Sequence, residues 1–146
     1  MPDFRSLSDS VYASPQITPE QIEDAATLGV TMIINNRPDG EEPGQPEGAS
    51  IEEAARAAGL AYAAIPVSGA GLGMPQVEAM ADALAAAEGK VLAYCRSGTR
   101  STFLWSLAQA KAGQQPETIA EAARSAGYDV SPVYGAMQAL ATGSES

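Results

Sequence analysis

The stretch Val91-Leu92-Ala93-Tyr94-Cys95-Arg96-Ser97-Gly98-Thr99-Arg100-Ser101 decides how this chain is read. Its first four residues form an apolar run that predicts a short buried strand. From Ser101 onward, Ser101-Thr102-Phe103-Leu104-Trp105-Ser106-Leu107-Ala108 predicts a helix. The connection between them is tight and carries the only cysteine of the chain, a glycine and two arginines. A strand that delivers a thiol into a loop closed by a helix N-terminus builds an anion site. Consecutive backbone N–H groups converge there and the helix end adds positive potential. The same field favours thiolate over thiol.

Cys95 alone would read as a small buried hydrophobe. The residues after it are Arg, Ser, Gly, Thr and Arg, which do not continue a core strand. Arg96 and Arg100 are two of only eight cations in the chain, and both fall in this loop. Arginine presents a bidentate fork to an oxyanion, so the pair reads as ligand-facing rather than as a solvated surface pair.

The segment Cys95-Arg96-Ser97-Gly98-Thr99-Arg100 resembles the active-site loop of rhodaneses, the thiosulfate sulfurtransferases. Tyrosine and dual-specificity phosphatases use a related cradle one residue longer, with arginine six positions after the cysteine. Here that position is Ser101. Most of the chain resembles a bacterial family of beta-lactamase-hydrolase-like, phosphatase-domain proteins, some of them fused to persulfide dioxygenases. The resemblance is carried by Ser14-Pro15-Gln16-Ile17, by Ile34-Asn35-Asn36-Arg37-Pro38-Asp39-Gly40-Glu41 and by the Cys95 loop. It implies a phosphatase-like backbone carrying a loop of rhodanese length.

Size and composition bound the rest. At 146 residues with 45% hydrophobic content, the chain is read as one domain, 1–146, with a proper core. A net charge of −10 argues against nucleic acid and anionic membranes as partners. An anionic ligand is still compatible, because remote surface charge is screened over about 8–10 Å. One cysteine leaves no internal disulfide, no multi-cysteine metal site and no resolving thiol. The absence of histidine removes Ser-His-Asp and Cys-His catalysis and nearly all ordinary catalytic zinc sites. No metal or other cofactor is expected, and the nucleophile has to be activated electrostatically. A reducing cytoplasmic setting is expected, since neither a signal segment nor a bilayer-spanning run is visible.

In chain order, residues 1–10 are polar and read as loose. Val11-Tyr12-Ala13 reads as a short strand, and Thr18-Pro19-Glu20 as a helix start with Thr18 as cap. Val30 to Ile34 reads as a central strand, Ser50 to Gly59 as a helix, and Leu60 to Val67 as a strand. Residues 68–75 are glycine-rich and read as a mobile connection, not a phosphate loop. Helices are expected over Pro75–Glu88, Pro116–Ala126 and Ser131–Leu140, with a fraying tail from Thr142. The expected class is α/β: a mostly parallel sheet of four to five strands with helices on both faces, like a dual-specificity phosphatase. Asn36 and Arg37 leave the C-terminal end of a parallel strand, as Cys95 does, and ligands bind at that edge. Arg37 is therefore a second candidate for the anion pocket, with the following acids orienting it or repelling larger anions.

The leading expectation is sulfur transfer. Cys95 would take the outer sulfur of thiosulfate or a related small anionic donor and pass it to a thiol or cyanide acceptor. Arg100 is the catalytic partner, and Arg96, Ser97, Gly98, Thr99, Ser101, Arg37 and Asn36 are candidate ligand-binding residues. A persulfide dioxygenase is a candidate partner. Residues 68–75 contain no Asp or Glu, so the general acid that phosphatases of this kind carry there is missing. The alternatives are a cysteine-dependent phosphatase and a non-catalytic sensor of anions or persulfides.

Overall fold

A computed structural model describes residues 3–68 and 72–143. The elements are β1 (Arg5–Ser6), β2 (Val11–Ser14), α1 (Gln21–Thr27), β3 (Val30–Asn35), α2 (Gly48–Ala57) and β4 (Ala61–Ala64). They continue with α3 (Met74–Ala86), β5 (Lys90–Tyr94), α4 (Thr99–Lys111), α5 (Pro116–Ser125) and α6 (Ser131–Gly143). The sheet order is β1-β2-β5-β3-β4. β2, β5, β3 and β4 run parallel, and β1 pairs antiparallel with β2 as an added edge. This is the expected α/β class, with β5 at the centre.

Successive residues of β5 face opposite sides of the sheet and enter different cores. Val91 and Ala93 join Ala13, Ile34, Leu104, Trp105, Ile119 and Met137 under α3 to α6. Leu92 and Tyr94 join Ile22, Ile33, Ile51 and Ala55 under α1 and α2. Each fully buried Leu or Ile removes enough apolar surface from water to contribute roughly 1.5–3 kcal/mol. Both faces of β5 are covered, which is why its sequence is continuously apolar rather than alternating.

α4 runs through the middle of the helical layer. It buries Ser101, Thr102, Leu104, Trp105, Ser106, Leu107, Ala108 and Ala110, so Trp105 is a packing residue. Because β2, β3 and β5 are parallel, their C-terminal ends share one edge. There the ladder continues past the strands: Asn36 N donates to Tyr94 O at 2.8 Å, and Cys95 N to Ser14 O at 3.2 Å. The loops carrying Gln16, Arg37 and Cys95 are thereby brought side by side.

Four expectations are corrected. The region read as loose contains β1, in register through Arg5 opposite Ala13. β4 is shorter than Leu60–Val67 and ends at Ala64; beyond it, Ile65 N and Val67 N donate to Asn35 O and Asn36 O. α1 begins at Gln21 rather than at Pro19, with Thr18 Oγ1 accepting from Gln21 N at 3.4 Å. α4 begins at Thr99, two residues before the expected start, so Arg100 lies in the first helical turn. Of the glycine-rich connection, residues 69–71 lie outside the described residues, as do 144–146 of the expected tail.

Candidate active site

The Cys95 loop is a four-residue bridge from β5 to α4. Gly98 ends it at φ +92, a conformation that L side chains rarely adopt. This turn reverses the chain so that Gly98 N–H points back at the cysteine and donates to Cys95 Sγ at 3.1 Å. Gly98 O then starts the helix by accepting from Thr102 N at 3.0 Å and from Thr102 Oγ1 at 2.8 Å. The sulfur therefore lies at the positive end of a helix of 13 residues. Cys95 itself is fully buried, at 0% exposure.

Arg100 reaches over this loop. Its guanidinium meets Glu41 fork to fork, Nη1 to Oε2 at 2.7 Å and Nη2 to Oε1 at 2.8 Å. Nη1 also donates to Val67 O at 2.6 Å. The arginine's affinity for its proton is raised first by the bond to Glu41; burial opposes this, and the neighbouring Cys95 sulfur adds to it. The Arg100 bond is also the largest cause holding the Glu41 carboxyl down, to about 2, with burial opposing and Arg37 assisting.

Arg37 is 4% exposed and lies behind Glu41. Its Nε donates to Glu41 Oε1 at 2.9 Å, Nη2 to Glu42 Oε1 at 2.6 Å and Nη1 to Gln16 Oε1 at 3.0 Å. Arg96 is exposed and pairs with Glu42 at 3.4 Å. Three guanidinium groups thus alternate with two carboxylates. An excess of one positive charge remains for a thiolate or a ligand.

The remaining candidates divide into two groups. Ser97 and Thr99 stay on the open side of the loop, Ser97 Oγ donating to Thr99 Oγ1 at 2.9 Å. Ser101 and Asn36 meet beneath it. Ser101 Oγ donates to Asn36 Oδ1 at 2.7 Å, and Asn36 Nδ2 donates to Ile65 O at 3.0 Å, with both residues fully buried. This pair ties α4 to β3 and to the strand beside it. Ser101 does not cap the helix; Gly98 holds that position.

Four contacts were not legible in the sequence. Glu41 is 59 residues from Arg100. Gln16 anchors Arg37 through its side chain and bonds Arg96 O through its backbone N–H at 3.3 Å. Tyr128, in the middle of the α5–α6 connection, donates from Oη to Ser97 O at 3.1 Å. Nothing in its surroundings, Gly127 and Asp129, marks it as a neighbour of the loop. Among the described residues, no group of three or more His, Cys, Asp or Glu side chains is placed to hold a metal ion. No helix among them is long and apolar enough to cross a membrane.

Comparison with known proteins bears on the chemistry. A family model described as the phosphatase-like domain of beta-lactamase hydrolase-like protein matches residues 3–112. A beta-lactamase hydrolase-like protein of Xylella fastidiosa is 38% identical over 125 residues, 85% of this chain. The matched region is 29% of that relative's length. A solved structure of a candidate phosphatase from Neisseria meningitidis is 34% identical, with a TM-score of 0.83, covering 94% of this chain and 98% of its own. Kinase associated phosphatase, solved with its catalytic-site cysteine replaced by serine, is 14% identical with a TM-score of 0.73. It covers all of this chain and 96% of its own, a likeness of fold. These findings overturn the sulfur-transfer expectation. The family and the structural neighbours are phosphatase-like, and loop length was a weaker guide to chemistry than the backbone around it.

Proposed function

The chain belongs to the beta-lactamase hydrolase-like, phosphatase-like domain family, and on that footing we propose that it hydrolyses phosphate monoesters with Cys95 as nucleophile. The observation that carries this reading is the Gly98 N–H bond to Cys95 Sγ at 3.1 Å, made where α4 begins. That donor fixes the sulfur at the N-terminal end of α4, with the Arg100 guanidinium as its neighbour, where backbone amides and an arginine can also bind an oxyanion. The use of cysteine by kinase associated phosphatase, which shares this fold, supports the same chemistry.

In the proposed reaction the Cys95 sulfur forms a bond to phosphorus as the ester P–O bond breaks, and the leaving oxygen departs with its electron pair. Loop amides and Arg100 stabilise charge on the phosphoryl oxygens. Water then attacks phosphorus, the sulfur leaves as thiolate, and inorganic phosphate is released.

The ester class follows from the proton inventory. Residues 68–75 carry no Asp or Glu. The carboxyl nearest Arg100, that of Glu41, is held ionised down to about 2, so it has no proton to give at neutral pH. A leaving group that departs well without protonation is required, which favours aryl over alkyl phosphates. Steady turnover of p-nitrophenyl phosphate, abolished by Cys95→Ser, is the expected result. Equal turnover by the two proteins overturns the proposal.

A second reading, anion binding without turnover, is favoured by the fully buried state of Cys95 and by the occupied fork of Arg100. It expects inorganic phosphate to raise Tm while no ester is hydrolysed.

A further inference from the structure

We propose that Tyr128 is a positioning residue for the Cys95 sulfur, acting through the single peptide unit that joins Ser97 to Gly98. The carbonyl of that unit accepts the Tyr128 hydroxyl at 3.1 Å, and its N–H donates to Cys95 Sγ at 3.1 Å. C=O and N–H point to opposite sides of a trans, planar peptide. Fixing the oxygen from one side therefore aims the hydrogen at the sulfur on the other. A hydrogen bond accepted by the carbonyl also polarises the unit and strengthens its N–H as a donor. The inference rests on the reading of Cys95 as the nucleophile, but it concerns how the sulfur is held.

Three further observations support it. Tyr128 is nearly buried, and its backbone N–H is anchored to Ala123 O at 2.9 Å, so the phenol is presented from a fixed base. The fit to the loop is close: a Cβ on Gly98 would lie 2.1 Å from Tyr128 Oη and 2.9 Å from Cζ. The ring is also covered by the Arg5 guanidinium, 5.2 Å from its centroid. Burial raises the phenol above its ordinary range, with Arg5 opposing and Asp3 and Cys95 adding to the rise. The hydroxyl thus stays a donor through the neutral range.

The test reads the thiolate directly by ultraviolet absorbance against pH, with Cys95→Ser as the blank, so that neither substrate nor reagent has to enter the site. The charged groups facing the sulfur and the phenol are Arg100, with Glu41 beyond it, and Arg5 and Asp3, while Glu117, Glu121, Arg124 and Asp129 line the cavity that Tyr128 borders. All are unchanged in the variants. Tyr128→Phe keeps the ring and its stacking. It is expected to lower the ratio of thiolate to thiol at a given pH about 3- to 10-fold, the effect of losing roughly one hydrogen bond. Replacing Tyr128 by 3-fluorotyrosine, a stronger donor, is expected to move the profile the opposite way. A folded Tyr128→Phe protein whose profile superimposes on the wild type overturns the proposal. If that variant does not fold, the fluorinated protein decides: a raised thiolate fraction supports the proposal and an unmoved profile overturns it. A failure of phosphatase turnover leaves these readings unaffected.

Discussion

Glu41 and Arg100 lie face to face, both carboxylate oxygens on both terminal nitrogens of the guanidinium, at 2.7 and 2.8 Å. The contact lies beside the buried Cys95 and occupies the fork that an oxyanion would use. A phosphoryl group clamped by that fork displaces Glu41.

Glu41→Gln removes the charge from this contact. Bonds between charged groups contribute about 1.5–3 kcal/mol, and part of that opposes ligand binding. The variant is expected to bind inorganic phosphate roughly tenfold more tightly by calorimetry, since about 1.4 kcal/mol is a factor of ten. Unchanged affinity would mean that the fork is not where the anion sits.

The same carboxylate gives a pH signature. Its folded value, about 2, lies below the ordinary value of 4.5. Its contribution to stability is therefore complete above about pH 4.5 and is lost as pH falls toward 2. Urea denaturation at pH 5 and at pH 3 should show a larger loss for wild type than for Glu41→Gln. Parallel losses would assign the acid sensitivity to other carboxylates among the 18 acidic residues.

Ser101→Ala leaves the Asn36 side-chain oxygen buried without the hydroxyl that bonds it at 2.7 Å. The expected cost is about 1–3 kcal/mol in urea denaturation, the penalty of a buried acceptor left unpaired. A change below a few tenths would show that the pair does not tie α4 to β3.

Gly98→Ala meets both a left-handed backbone and the Tyr128 hydroxyl. It is expected to destabilise by more than about 1 kcal/mol, the scale of the left-handed penalty alone. Adding Tyr128→Phe should recover part of that loss, because the nearest clash is with Oη; Cζ, at 2.9 Å, remains. Strict additivity would separate the two residues.

The strands and helices were legible because burial writes itself into periodicity: β5 and β3 read as apolar runs, and α2 and α5 as amphipathic faces. The start of α4 was not. Thr99, Arg100 and Ser101 look like loop because the first turn of this helix faces the site and a buried polar partner instead of the core. β1 escaped notice because two residues carry no periodic signal; its pairing with β2 defines it. Cys95, Arg37 and Arg100 could be singled out by residue type and placed on one sheet edge by topology. That Arg37 and Arg100 share Glu41 could not, since the contact depends on how loops distant in sequence fold over one another. The Tyr128 contact with Ser97 crosses 31 residues and has no local mark.

The central claim is that phosphorus becomes bonded to the sulfur of Cys95. Intact-protein mass spectrometry of wild type, acid-quenched during turnover of an aryl phosphate, tests it most directly. The account predicts one phosphoryl group that maps to Cys95 and is absent from Cys95→Ser. Turnover with no adduct on Cys95, or turnover that survives the substitution, would contradict it.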